Sequence, residues 1–355
     1  MAVKETGVSY YGISYPEHAE QDFKEMIEHN CNAVILALSE FDIDFWFPNI
    51  VKVAKVAKHL GLKVYLDTWG IGKWFGGEPP SIFLTNNAGN RQVSAFTNTP
   101  LSAACFNTRA FRDYFYDICE KLALEVDADG FFWDEPHYAL PKSYASITGG
   151  PGDDWSCRCP VCQKKFEQLY GYVMPSMLTK EVIAFRENSA LEILETASRR
   201  IKQIRPDSKI VCCVHATINN YYVKENRGYD NWDKVGKVDV FDVFSTTIIS
   251  YKLPRSYFKS ITQQTLDIAK KYGRGSQRWL MNYFQEPDNI EEIKEIVHLY
   301  ADMGVESLFA WTYRGGHGTV LGPPHALQMW DMLGEAYGEV LEKDYAINDK
   351  KKKRK

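Results

Sequence analysis

A single α/β domain, the (β/α)8 or TIM barrel, is the fold this sequence predicts. Three observations predict it. Short apolar runs alternate with amphipathic helical stretches, which implies parallel strands joined by helical crossovers. The alternation occurs eight times, the number that closes a barrel. Asn30, Gly61, Gly273 and Gly304 each stand just past a helical stretch, where a left-handed cap is wanted.

The first run is Gly7–Tyr15, with a helix over Ala19–Asn30. The second, Ala33–Leu38, precedes a helix over Pro48–Leu60. The third, Lys63–Asp67, enters a long Gly/Pro/Asn-rich inserted loop before a helix over Thr108–Glu125. The fourth, Gly130–Trp133, is followed by an insertion over 139–175 and a helix over Lys180–Ile204. The fifth, Lys209–Val214, leads to a short helix near 231–236. Then come Val240–Ile249 with Tyr257–Tyr272, Arg278–Phe284 with Ile290–Met303, and Ser307–Thr312 with Ala326–Glu342. One domain over 1–343 is expected. The Lys-rich stretch 344–355 reads as a disordered, solvated basic tail, because like charges repel.

Composition narrows the function. The 355 residues carry a net charge of −4, so the body is not built to bind a polyanion. No 18-residue apolar run exists to span a membrane. The amino terminus lacks the basic, apolar and small-residue order of a secretory leader. Three of the eight cysteines (Cys31, Cys119, Cys212) sit in apolar patterns, and Cys213 adjoins them, as buried small hydrophobes do. A reducing, cytoplasmic location follows. The sequence leaves the oligomeric state open, a homo-oligomer included.

In a barrel the reacting groups gather at the carboxyl ends of the strands. Those ends hold Tyr10 and Tyr11, Glu40, Asp67 and Trp69, then Asp134, Glu135 and His137. His215, Asn219, Ser250, Tyr251, Tyr283, Gln285, Glu286, Trp311, Tyr313 and Arg314 complete the ring. No Gly-rich phosphate cradle of recognisable spacing is present. The fourth run is the most informative, because Gly130–Phe131–Phe132–Trp133 passes straight into Asp134–Glu135–Pro136–His137. Carboxylates at the end of a buried strand are costly unless their charge is used.

Carboxylates on different strands of one mouth suit glycoside hydrolysis, in which one acid protonates the leaving oxygen and a second attacks the anomeric carbon or activates water. Glu135 is the expected general acid/base, since Pro136 ends the strand ladder there. Glu286, ending strand seven, is the candidate nucleophile, with Asp67 and Glu40 in reserve. Asp134 either tunes Glu135, binds a hydroxyl or attacks. Tyr11, Glu40, Asp67, Trp69, His137, His215, Tyr283, Trp311 and Arg314 are the expected carbohydrate contacts, the aromatic rings serving as platforms. Two other functions remain open: a carbohydrate-binding barrel without hydrolysis, and a metal-dependent hydrolase or lyase using Asp67, Asp134 and His215.

Cys157–Arg158–Cys159–Pro160–Val161–Cys162 is a strong metal signature. Tetrahedral zinc wants four ligands, and Cys105 is the candidate fourth. Four sulfurs leave no open coordination position, so the expected Zn2+ is structural. A redox or disulfide pairing is the alternative.

Cys105–Phe106–Asn107 together with Cys157-x-Cys159-x-x-Cys162 resembles the zinc clip of family 42 β-galactosidases. Those enzymes are barrels of glycoside hydrolase clan A. The resemblance covers roughly residues 7–343 and implies Glu135 as acid/base and Glu286 as nucleophile. The chain departs from the clan in having Asp134 where an Asn precedes the acid/base. Gln285–Glu286–Pro287 also differs from the clan's strand-seven signature, and specificity for β-galactosides is not implied.

Overall fold

The computed structural model describes residues 3–12, 14–75, 79–139, 154–216, 228–229, 231–247, 253–282, 290–319 and 322–352, the last ten by backbone alone. Among the described residues ten strands run β1 (Glu5–Tyr10), β2 (Ala33–Ser39), β3 (Lys63–Gly70), β4 (Arg91–Val93), β5 (Pro100–Ala104), β6 (Gly130–Asp134), β7 (Lys209–Val214), β8 (Val243–Thr246), β9 (Gly275–Met281) and β10 (Ser307–Trp311). Eight of them close a parallel barrel in the order β1-β10-β9-β8-β7-β6-β3-β2. The remaining two, β4 and β5, pair antiparallel as a hairpin.

Side chains alternate between the two faces of each barrel strand. Ala33, Ile35, Tyr65, Phe132, Val211, Cys213, Trp279 and Phe309 pack inside the barrel. The intervening residues, such as Val34, Val64, Phe131, Cys212 and Leu308, join the larger core between strands and helices. Gly130 is required by this geometry: a Cβ there would lie 2.4 Å from the Lys209 carbonyl and 2.8 Å from the Tyr65 ring. The amino-terminal end is closed around Glu5. Its carboxylate accepts from Lys63 at 2.7 Å, Lys209 at 3.3 Å, Tyr65 at 3.1 Å and Ser307 at 3.0 Å. Salt bridges and hydrogen bonds outweigh its burial and hold the Glu5 carboxyl below the usual carboxylate range.

The expected caps are left-handed, with φ of 60° at Asn30, 88° at Gly61, 65° at Gly273 and 94° at Gly304. Strand starts differ from the sequence reading for one physical reason. β1 begins at Glu5 rather than Gly7, and β9 at Gly275 rather than Arg278. Among the added residues, Glu5 and Gln277 are polar but inward and satisfied; Gln277 accepts from Ser245 Oγ at 2.8 Å. An apolar criterion passes over such positions. Helix Glu40–Phe45, capped by the Ser39 side chain, directly follows β2, and helix Pro160–Tyr170 opens at the cysteine cluster. The last helix, Ala326–Lys352, runs on past residue 343, the last that the sequence reading assigns to the domain before a solvated tail over 344–355. Among the described residues no helix is long and apolar enough to cross a membrane.

Candidate active site and cysteine cluster

Strand alternation explains which mouth residues face the barrel axis. Phe132 is inward, so Asp134 two positions later is too, and the next residue of a regular strand would face away. Glu135 breaks the alternation with a left-handed φ of 41°. Such a conformation costs a residue with a side chain roughly 1–2 kcal/mol. It is held from both sides. The Glu135 amide donates to the Cys213 carbonyl at 3.1 Å, and His137 Nδ1 donates to the Glu135 carbonyl at 2.8 Å. The His137 amide in turn donates to the Trp74 carbonyl at 2.8 Å. Both acids therefore reach the interior. Glu135 Oε1 lies 4.0 Å from Nε2 of His215, the residue that follows β7. Burial and the charges of Asp134 and Glu135 push the Cys213 thiol well up, so it stays protonated beneath them.

Asp67 lies one inward layer lower, paired in register with Phe132 of β6. It is completely buried, and neither carboxyl oxygen has a hydrogen-bond partner among the described residues. Burial, and then the charge of Asp134, raise its carboxyl well above the usual range. Asp67 thus lies under the floor of the mouth, where its charged form is disfavoured. The sequence reading expected a carbohydrate contact here, and the structure places Asp67 with no exposed surface.

Three half-buried rings stand around the mouth. Tyr11 stacks on Trp311 with centroids 5.5 Å apart and planes 11° from parallel. Trp69 meets Tyr11 at 5.3 Å and Trp311 at 5.7 Å. Trp279, which the mouth reading missed, lies in the next layer, 6.4 Å from Trp311. Its inward parity in the seventh barrel strand was the available signal.

Two expected contacts are engaged elsewhere. Glu40 is buried, and its carboxylate accepts from the Gly72 amide, the Ser81 hydroxyl and the Phe83 amide, each at 2.7 Å. It braces the loop after β3, and all three of these hydrogen bonds are made within the fold. Arg314 is exposed, and its guanidinium pairs with Glu25 of helix Pro16–Glu28. Tyr10 faces outward as well, donating to Asp22 at 2.6 Å. Glu286 and Tyr283, with Asn219, Ser250, Tyr251 and Gln285, lie outside the described residues.

The four cysteines come together from two loops. Cys105 follows β5, while Cys157, Cys159 and Cys162 enter helix Pro160–Tyr170, and all four sulfurs lie within 4.8 Å of one another, fully buried or nearly so. Cys105 Sγ is 3.5 Å from both Cys159 Sγ and Cys162 Sγ, and all four cysteines are free. A tetrahedral ion with metal–sulfur bonds near 2.3 Å needs sulfurs about 3.8 Å apart, which this spacing brackets. The Val93 amide donates to Cys157 Sγ at 3.4 Å, and the Asn107 amide to Cys162 Sγ at 3.4 Å. Hydrogen bonds from its three neighbours pull the Cys159 thiol far down, while burial pushes Cys157 and the neighbouring thiols push Cys162 up. A bound cation is what would let all four ionise together. The cluster is able to hold a metal ion.

Comparison with known proteins agrees with the barrel. No protein-family model matches the sequence, and no curated protein does. Solved structures do. A β-galactosidase from Rahnella sp. R3 superposes with a TM-score of 0.68 at 13% identity, over 96% of this chain and 57% of that one. A catalytic mutant of Gan42B, a GH42 β-galactosidase from G. stearothermophilus, gives 0.67 at 12%, over 94% and 56%. The glycoside hydrolase domain of PgaB (BpsB) from Bordetella bronchiseptica gives 0.64 at 12%, over 93% and 99%. The chain thus spans somewhat more than half of the β-galactosidases it resembles. The class is a closed eight-stranded barrel with the fold of glycoside hydrolases, and at these identities the likeness is one of fold.

Proposed function

We propose that the protein is a retaining glycoside hydrolase acting on a glycoside or oligosaccharide. Glu135 serves as general acid/base and Glu286, from the end of the seventh barrel strand, as nucleophile. The observation that carries this reading is the left-handed turn at Glu135, which brings two adjacent acids into one aromatic-walled mouth. Backbone strain of this kind persists where surrounding structure enforces it, and it clusters at functional sites. Glu135 protonates the departing glycosidic oxygen while the partner acid attacks the anomeric carbon; the same Glu135 then deprotonates the water that releases the sugar. His215, beside Glu135, is placed to hydrogen-bond a hydroxyl or the acid itself. Asp134 faces the same space and accepts from a sugar hydroxyl. Tyr11, Trp69 and Trp311 offer ring faces to the C–H surface of a pyranose.

The cysteine cluster holds a structural zinc ion in this reading. Four thiolates fill a tetrahedron, so the ion would supply cross-linking alone. Free buried thiols suit a reducing, cytoplasmic compartment.

The test is Glu135→Gln on a panel of aryl glycosides. Loss of general acid/base catalysis lowers turnover about 10²–10⁴-fold. Turnover equal to wild type would remove Glu135 from the mechanism.

A further inference from the structure

Outside the mouth, the molecule carries a second set of aromatic rings that neither packing nor the proposed chemistry uses. Phe45 is 63% exposed, Phe41 52% and Tyr15 52%, among the most exposed large apolar side chains described. Phe41 and Phe45 sit one turn apart on helix Glu40–Phe45 with ring centroids 4.6 Å apart, while Glu40 and Ile43 take the buried face. Trp46 ends that helix, and its ring lies 5.9 Å from Tyr15 at the start of helix Pro16–Glu28. Exposed apolar clusters of this kind mark binding surfaces.

Their position selects the ligand. Both segments leave the barrel at the carboxyl ends of β1 and β2, the end that holds Tyr11. The exposed rings therefore stand at the same end of the barrel as the ring-lined mouth. The surrounding charge disfavours other occupants: residues 11–23 and 39–51 contain no Lys or Arg, while Glu17, Glu20 and Asp44 stand exposed there. An acidic rim repels anionic membrane surfaces and nucleic acid alike. Exposed ring faces interleaved with carboxylates suit a neutral polyol, with C–H groups against the rings and hydroxyls donating to the acids.

We infer that Tyr15, Phe41, Phe45 and Trp46 form an outer subsite that holds a neutral oligosaccharide of several pyranose units extending from the mouth. This rests on the glycosidase reading of the mouth and names its substrate class as a sugar chain rather than a small glycoside.

The experiment compares wild type with Phe41→Ala/Phe45→Ala, whose exposed side chains are not needed for folding. Calorimetric affinities are measured for hexasaccharides of cellulose, mannan and chitin and for their monosaccharides, alongside aryl-glycoside turnover. At least one hexasaccharide should bind wild type more tightly than its monosaccharide. The double variant should weaken that binding about tenfold and leave aryl-glycoside turnover unchanged. The same loss of affinity in a protein that hydrolyses nothing would retain the subsite and overturn the hydrolase. Hexasaccharides bound no better than monosaccharides, or equally by both proteins, would overturn the subsite even if aryl glycosides are cleaved. So would a wild-type dimer that the double variant converts to monomer without loss of sugar affinity.

Discussion

Glu40 separates two accounts of the second barrel strand. If its carboxylate touches substrate, as its position at a strand end suggests, neutralising it should impair binding and leave stability alone. The structure implies the reverse. Oε1 accepts from the Gly72 amide and the Ser81 hydroxyl, and Oε2 accepts from the Phe83 amide, all at 2.7 Å inside the fold. Each buried donor left without its acceptor costs about 1–3 kcal/mol. Glu40→Ala orphans three and should cost roughly 3–5 kcal/mol, since such losses are not additive. Glu40→Gln can keep two of them by placing its carbonyl at Oε1, but it turns an NH2 toward the Phe83 amide, for about 1.5–3 kcal/mol. For a chain of 355 residues one kcal/mol shifts Tm by about 1–2 °C. Thermal denaturation should therefore rank wild type above Gln and Gln above Ala, with Ala lower than wild type by at least about 3 °C. Equal Tm values, accompanied by a raised KM for the glutamine variant, would refute the structural role.

Two further predictions concern the floor and the clip. Asp67 has a folded-state pKa raised above its unfolded value, so between those values the folded chain binds more protons than the unfolded one, and stability falls as pH rises through that window. Asp67→Asn removes this titration. Its unfolding free energy, measured by urea denaturation from pH 4 to pH 9, should gain on wild type as pH increases, with a slope of at most about 1.4 kcal/mol per pH unit; parallel curves would show that burial does not raise the Asp67 carboxyl. Cys105→Ser and Cys162→Ser should each lower both the zinc recovered per chain by elemental analysis and Tm, while residual turnover below the new Tm persists. Variants that retain wild-type zinc would remove those residues from the clip.

The barrel was legible because its information is repeated: eight apolar runs, eight amphipathic crossovers and four left-handed caps all agree. The cysteine cluster was legible for a similar reason, since three thiols within six residues converge whatever the surrounding loop does. Individual mouth residues were less so. Position at a strand end does not reveal parity, and parity sends Tyr10 to Asp22 on the outside while Tyr11 enters the mouth. Nor does it reveal local partners, which claim Glu40 and Arg314. The adjacency of Asp134 and Glu135 was visible, but regular alternation would have separated them. Only the backbone at Glu135, with φ of 41°, unites them. Asp67 was read as a ligand because it is acidic and central; its burial depends on Ala37 and Phe132, its register neighbours from distant parts of the chain.

The knot around Glu5 also bears on how the chain is made. Its carboxylate gathers Lys63 and Tyr65 from β3, Lys209 from β7 and Ser307 from β10, the last 302 positions away in sequence. On the ribosome this acid emerges long before its Ser307 partner, 302 positions later. Ring closure must await the last barrel strand, which makes folding dependent on long-range encounters. A nascent half-barrel carries an incompletely paired anion at its open seam, a feature that opposes premature collapse and gives chaperones an extended interval in which to act.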